Sequence, residues 1–409
     1  MDGVQDSSLN RKNVLKILAA GCSFFFAGAN DGSLGALTPY ILRTYHVGTE
    51  WVALIYASTF LGWALAAATN SHMARYLQLG TILMIGAVVQ LAAHLLRFWT
   101  PPFALYVVTF FLQAAGMAYN DAHANSFVAS INGAHRWLGF IHAMYALGCL
   151  VSPFVATAIA AGVEDRWPLF YLFLVGIGAV NIIAVLTTFR DNLSIDKAQS
   201  SNGASEVPTS RNQGASRDMI RALKSPSVYL LSLYYFFMLG VAVTAGGWVV
   251  EYLVSARNGR LPDVGYVPAG LWGGVFLGRV LLAEPTHRFG ERRMMMIYCS
   301  LILALQLVFW LVPNLVGSAM AISFLGFFYG PLFATGMSVG SKLFDKRIQP
   351  IALGLVFVLA QAGGALFPAL TGVIASRAGV NVMQPILVGL IVAMGIAWAL
   401  VPKVPKRDE

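Results

Sequence analysis

Charged side chains are scarce in this chain: Asp, Glu, Lys and Arg make up 11% of the 409 residues, against 57% hydrophobic ones. That leaves too little polar surface for a water-soluble globular protein. Cysteine is nearly absent as well. Cys22, Cys149 and Cys299 are an odd number, far apart, each inside an apolar run, so neither a disulfide framework nor a metal site is expected. There is no Gly-x4-Gly-Lys-Ser/Thr phosphate loop, no Gly-x-Ser-x-Gly elbow and no metal-spaced His/Cys cluster. An enzyme, ATP-driven work and a bound cofactor are therefore not expected. The net charge of +9 does not indicate a nucleic-acid partner either, because the basic residues are scattered over separate segments and form no groove-sized patch.

What the sequence has instead is apolar length. Runs long enough to cross a ~30 Å hydrocarbon core as helix recur twelve times. They cover approximately residues 17–42, 50–71, 77–99, 103–131, 137–161, 168–189, 227–255, 265–283, 294–313, 315–341, 350–376 and 383–402. These runs are continuously apolar, whereas the strands of a membrane β-barrel alternate over ~10 residues. The expected class is an all-α integral membrane protein of twelve transmembrane helices, with the lipid bilayer as its solvent. With both termini in the cytoplasm, 20 of the 27 Lys and Arg fall on the cytoplasmic side and 6 outside, which sets the orientation. Arg11, Lys12 and Lys16 precede a first span too long for a cleaved signal peptide, so that span is expected to stay.

Between residues 190 and 226 the composition turns to Ser, Asn, Gly and charge, as in Ser200-Ser201-Asn202-Gly203-Ala204-Ser205. Such a segment buries too little apolar surface to order itself and reads as a flexible cytoplasmic linker. The expected organisation is a cytoplasmic tail (1–16), a six-helix bundle (17–189), the linker (190–226), a second six-helix bundle (227–402) and a short tail (403–409). The halves are also related: Gly32, Gly139, Gly148 and Pro153 recur at an offset of 215 as Gly247, Gly354, Gly363 and Pro368. Parallel repeats of six helices are the signature of transporters that rock two halves about a midplane site.

Two acids interrupt the apolar spans, each directly after an asparagine: Asn30-Asp31 and Asn120-Asp121. A carboxylate within the bilayer costs several kcal/mol unless it faces a cavity or a partner, so by default it marks a proton or substrate site. Asp31 lies 14 residues into the first span, roughly 21 Å along its axis, and Asp121 lies 18 residues into the antiparallel fourth, which puts both near the midplane. No Lys or Arg is expected at that depth in this half, so a fixed ion pair is not anticipated. The alternative for each acid is a fixed buried hydrogen bond. On a helical wheel Gln113 and Asn120 point together, with Asp121 and Asn125 on one flank and His123 on the other. This broad polar arc must face a cavity or other helices, and its amides and carboxylate offer the directed donors and acceptors that a hydroxyl-rich solute requires. His142 and Tyr145 share a face of the fifth span, Gln361 is the one amide in the eleventh, and Trp248 can supply a flat wall for a ring. The candidate solute-binding set is thus Asn30, Gln113, Asn120, Asn125, His142, Tyr145, Trp248 and Gln361, with Asp31 and Asp121 for proton coupling. For the amides and His142, interhelical hydrogen bonding is the competing role.

These features together resemble the major facilitator superfamily, and within it the fucose:proton symporter family, most closely its fungal members. The likeness is carried by Gly28-Ala-Asn-Asp-Gly-Ser-Leu-Gly35, Asp121-Ala-His-Ala-Asn125, Gly246-Gly-Trp248, Gly273-Gly-x-x-x-Gly-Arg279 and Gly326-Phe-Phe-Tyr-Gly-Pro331. The resemblance implies two six-helix bundles in the major facilitator fold, no metal and no cofactor. It also implies proton coupling and sugar recognition by Asp31 and Asp121, with Asp31 as the proton carrier. The superfamily's cytoplasmic gating motif survives between spans 2 and 3 only as Arg75 and Gly80; Arg75 and Arg279 are the gating candidates. Where the family commonly has an acid before Gly-Gly-Trp, this chain has Ala242.

The function expected is proton-coupled symport of a small, sugar-like solute by alternating access, in a monomer, at the plasma membrane or at a vacuolar or other endomembrane. One rival is proton-coupled export of drugs or metabolites. Exchangers usually carry Gly-Pro-x-x-Gly-Gly in the fifth span, where this chain has Gly148-Cys-Leu-Val-Ser-Pro153. The other rival is a non-transporting nutrient sensor, for which a long cytoplasmic tail is expected and about seven residues follow the last span.

Overall fold

The computed structural model describes residues 11–193 and 220–403, apart from 163 and 347. Most of the linker, the start of the first tail and residues 404–409 lie outside the described residues. Among the described residues twelve helices are long and apolar enough to cross a membrane. They are α1 (Arg11–Tyr45), α2 (Thr49–Tyr76), α3 (Leu79–Arg97), α4 (Phe103–Ala129), α5 (Ala134–Gly162), α6 (Phe170–Thr188), α7 (Pro226–Arg257), α8 (Val267–Leu281), α9 (Glu291–Leu311), α10 (Leu315–Tyr329 continuing as Leu332–Leu343), α11 (Gln349–Ala378) and α12 (Met383–Leu400). Helix is the state the bilayer imposes, since every backbone N–H and C=O must find its partner within the segment.

Three departures from the expected spans have local causes. The tenth span, expected unbroken over 315–341, is interrupted at Gly330-Pro331, where proline has no N–H to continue the ladder. α1 extends past both expected ends; at its start Arg11 and Lys12 reach water, while Lys16 donates to Asn192 Oδ1 at 2.9 Å. The described margins of the linker are ordered rather than flexible: Arg190–Asn192 forms a 3₁₀ turn and residues 220–224 are helical. Helix ends carry the expected stop signals, such as the left-handed Asn258 (φ 55°) after α7 and Gly379 (φ 77°) after α11.

The two halves pack by the same plan. α1 lies on α5 and α6, and α7 likewise on α11 and α12; α4 fills the groove between α2 and α3 as α10 does between α8 and α9. The repeated glycines explain part of this. A Cβ on Gly148 would stand 2.2 Å from the Phe25 carbonyl oxygen of α1, and one on Gly363 would stand 1.9 Å from the Phe236 carbonyl oxygen of α7. Only glycine lets these backbones approach so closely. Pro153 and Pro368 sit inside α5 and α11 at matching places. Outward-facing Val180, Ile183, Leu311, Val316 and Ile396 are more than half exposed, as a lipid-facing surface requires.

The bundles meet along α1 with α7, α2 with α11 and α5 with α8. On the side away from the linker they close on one another. The Thr49 hydroxyl of α2 donates to the Gly372 carbonyl of α11 at 2.9 Å, Gly35 of α1 abuts the Gly246 carbonyl of α7, and Gly265, just before α8, abuts Thr157 of α5. Residues one turn below this closure, Asp31 among them, keep partial exposure between the bundles.

Candidate functional site

Asp31 sits in the middle of α1, half-buried, in a chain of hydrogen bonds that joins four helices. The Asn30 side-chain amide donates to Asp31 Oδ1 at 2.9 Å, and the Tyr145 hydroxyl of α5 donates to Oδ2 at 2.8 Å. On its other side Asn30 accepts from Arg97 Nη1 at 3.0 Å. Arg97 is the last residue of α3 and only 1% exposed. Its Nε donates to the Thr109 hydroxyl at 2.7 Å, and its guanidinium carbon stands 3.7 Å from the centre of the Phe110 ring.

Arg97 corrects the expectation that no cation stands at the depth of the acids. A basic residue at a span's end ordinarily turns toward water; this one turns inward, where an amide, a hydroxyl and two aromatic rings receive it. His94, one turn earlier on α3, is fully buried between Phe26 and Tyr171, and neither ring nitrogen has a hydrogen-bond partner.

Asp121 of α4 is near enough to Asp31 for the two carboxyl charges to interact. It is also half-buried, but its Oδ1 is enclosed and has no donor. The polar arc of α4 divides in two. Asn120 and Gln113 are each 1% exposed and face into the bundle: Asn120 Oδ1 packs against Gly86 of α3, and Gln113 Nε2 is 3.3 Å from Met117 Sδ. Asn125 keeps partial exposure, while His123 Nε2 pairs with Asn70 Oδ1 of α2 at 2.8 Å.

His142, one turn before Tyr145, lies edge-on to Phe24 and tilted against Phe333 of α10. Its carbonyl accepts from Arg279 Nη1 of α8 at 3.0 Å, a contact between the bundles on the linker side of the acids. Arg75 is exposed at the end of α2, away from this group. Of the C-terminal candidates, Trp248 is 1% exposed and donates to the Pro368 carbonyl at 3.0 Å, which ties α7 to α11 and keeps the indole out of the cleft. Trp272 of α8 is half-buried instead, its ring over Gly246, and with Ala242, Ala245, Leu271, Leu325 and Tyr329 it lines a narrow apolar crevice. Gln361 of α11 is half-buried on the same side of the closure.

The structure thus brings Asn30, Asp31, Asp121 and Tyr145 together, with His142 a turn away, and sets Asn120, Gln113 and Trp248 into helix packing. Sequence reasoning missed Arg97 and His94; their i, i+3 spacing toward one face of α3 is the signal that was there to find. Among the described residues no group of His, Cys, Asp and Glu could hold a metal ion. Chemically, the arrangement can bind hydroxyls and exchange protons.

Known proteins agree with this architecture. The chain is 27% identical over 97% of its length, and 84% of the relative's, to Bypass of stop codon protein 6 of Saccharomyces cerevisiae. It is 20% identical over 86% of both chains to the Glucose/mannose transporter GlcP of Bacillus subtilis. Among solved structures, the E. coli Fucose:proton symporter FucP superposes with a TM-score of 0.66 at 16% identity, covering 96% of this chain and 100% of that one. The model of the Major Facilitator Superfamily matches residues 20–368 and 286–409, and the chain belongs to that family of membrane transporters.

Proposed function

We propose that this protein is a secondary active transporter that carries a small, polar, sugar-like solute together with protons. Its two bundles rock about a site between α1, α4, α5 and α8. The observation that carries this reading is the pair of partly exposed carboxylates, Asp31 and Asp121, below a closed far side in a chain otherwise almost free of intramembrane charge. The cleft has two unlike walls. Asp31, Asp121, Asn125, His142 and Tyr145 give the N-terminal half hydrogen-bonding groups, and Trp272 gives the C-terminal half a flat apolar face, the combination a sugar ring uses. Arg279 and Arg75 act at the linker side, and the basic-residue asymmetry supports a cytoplasmic position for that side together with both termini. The glucose/mannose relative and the fucose:proton symporter neighbour support the solute class. The protein works as a monomer, at the plasma membrane or an endomembrane.

One observation favours a second reading, export of a cationic compound in exchange for protons: Asp121 Oδ1 has no donor, and the charge that acts on it is another carboxylate. A thermal-shift screen of sugars, polyols and drug-like cations comes first, since a ligand of the folded state raises apparent stability. The stabilising compound is then offered to proteoliposomes with an imposed pH gradient. Accumulation of a sugar or polyol on the alkaline side supports symport. Expulsion of a cation supports the exchanger. Binding with no flux in either direction overturns both and leaves a sensor.

A further inference from the structure

The two acids of the site differ in what surrounds them. A guanidinium only donates hydrogen bonds. With Arg97 Nη1 on Asn30 Oδ1 at 3.0 Å, the Asn30 amide must present its oxygen to Arg97 and its NH₂ to Asp31 Oδ1, 2.9 Å away. An NH₂ fixed as a donor on that oxygen favours the charged form of the Asp31 carboxyl over the protonated one. The other oxygen accepts from Tyr145. Arg97 in turn is 1% exposed and has Asp31 as its neighbouring acid, so neutralising Asp31 would leave a buried cation without its balance. Nothing comparable holds Asp121: its Oδ1 has no donor, and the charge that acts on it is the like charge of Asp31. Two neighbouring carboxyls that compete for one proton place it on the one with the poorer donor set.

We infer that Arg97, acting through Asn30, holds Asp31 as a permanent carboxylate, and that Asp121 is the acid that takes up and releases the transported proton. Arg97 is a positioning residue: it touches neither the proton nor the solute and works by orienting one amide. The inference rests on the proton-coupled reading of the site and deepens it. The titratable and charged groups around the pair come from each neighbouring helix. Arg97 on α3 reaches Asp31 through Asn30, Tyr145 and Cys149 on α5 face Asp31, and Arg279 on α8 faces Tyr145 and Cys149 from the other bundle. Tyr171 on α6 lies 5.5 Å from Arg97, and His123 on α4 is turned to Asn70 of α2.

The test is infrared difference spectroscopy of the carboxylic C=O stretch, on the full chain in nanodiscs, as the pH is stepped between about 5 and about 8. No solute is needed. One buried titrating carboxyl is expected in the wild type, lost in Asp121→Asn and retained in Asp31→Asn. Arg97→Gln should add a second titrating carboxyl, which disappears again in Arg97→Gln/Asp31→Asn, while Arg97→Lys should restore the single band. Should Arg97→Gln fail to fold, Asp121→Asn still decides the matter, because the remaining Asp31 must then show no titration across the range. A band lost with Asp31→Asn and kept with Asp121→Asn overturns the inference, as does an Arg97→Gln spectrum identical to the wild type. Failure of the transport reading shows elsewhere: the spectra behave as expected, yet no solute in the proteoliposome panel moves with protons.

Discussion

Gly35 of α1 stands where the two bundles touch, and adding one methyl group there should shift the balance between conformations while sparing the fold. A Cβ at this position lies 1.8 Å from the Gly246 carbonyl oxygen, about 1.6 Å short of the 3.4 Å at which ordinary contact begins. Overpacking by a methyl costs about 1–3 kcal/mol in a close-packed site. In Gly35→Ala that cost falls on the closed far side alone, because α1 and α7 separate when that side opens. At 1.4 kcal/mol per factor of ten, a cost of about 2 kcal/mol moves the closure equilibrium about 30-fold toward opening. Gly28→Ala is the control: its Cβ would stand 1.9 Å from the Tyr145 carbonyl oxygen, an equal clash inside one bundle, so there the cost falls on folding and lowers the melting temperature. The assay is the maleimide labelling rate of Thr157→Cys in a background lacking Cys22, Cys149 and Cys299. Thr157 is 1% exposed and seated against Gly265 within the same closure. Labelling about 30-fold faster in Gly35→Ala, with little change in melting temperature, is expected. An unchanged rate would mean that the α1–α7 contact is not part of the moving interface.

Single cysteines at positions 203 and 164, in the linker and between α5 and α6, should be labelled from the cytoplasmic and the opposite side respectively; the same side for both sinks the topology. Gln306 Nε2 of α9 donates to Gln384 Oε1 of α12 at 2.6 Å in a fully buried pair. Gln306→Leu should cost about 1 kcal/mol of stability by stranding the partner amide, and Gln306→Leu/Gln384→Leu should recover most of it. Thermal unfolding in detergent reads both, and a double variant no better than the single one refutes the pairing.

Much of the fold was legible because the bilayer allows few solutions. Twelve apolar runs, a polar break at 190–226 and a glycine repeat at offset 215 lead to two six-helix bundles by length and symmetry alone. The break in α10 was not legible, since Gly330-Pro331 reads equally well as a bend or an interruption inside an apolar run. At the site, Asp31, Asp121 and Tyr145 were legible because polar groups are costly in lipid and few. The direction in which a side chain points was not. Asn120 and Asn125 lie five positions apart on one helix, yet the first packs on Gly86 and the second borders the cleft. Trp248, expected as a wall for the solute, is packed away instead, because the Pro368 carbonyl offers it a partner within the bundle, and Trp272 is the partly exposed ring. Arg97 was hidden for the same reason: its position in the chain is that of a surface residue, and only the packing of α1, α4 and α6 around it makes it interior.

A repeat fold invites the expectation that a site in one half has a counterpart in the other, and here the packing forbids it. At the repeat offset Asp31 corresponds to Gly246 and Asp121 to Gly336. A Cβ on Gly246 would stand 3.1 Å from the Trp272 ring, and the Gly246 carbonyl abuts Gly35 across the bundle interface. A Cβ on Gly336 would stand 2.5 Å from the Tyr235 hydroxyl, which donates to the Phe333 carbonyl. Each place where the N-terminal half holds an acid is thus occupied, in the C-terminal half, by an aromatic side chain lying over a glycine. A carboxylate there would have to displace a packed ring as well as meet the cost of its own burial. On the proposed reading the asymmetry is a division of labour: the N-terminal half holds both acids, of which Asp121 changes charge, and the C-terminal half supplies an uncharged wall. The shape of that wall is then the same whichever protonation state Asp121 is in. Rocking one half against the other then changes what the carboxylates face without requiring the apolar wall to change its chemistry.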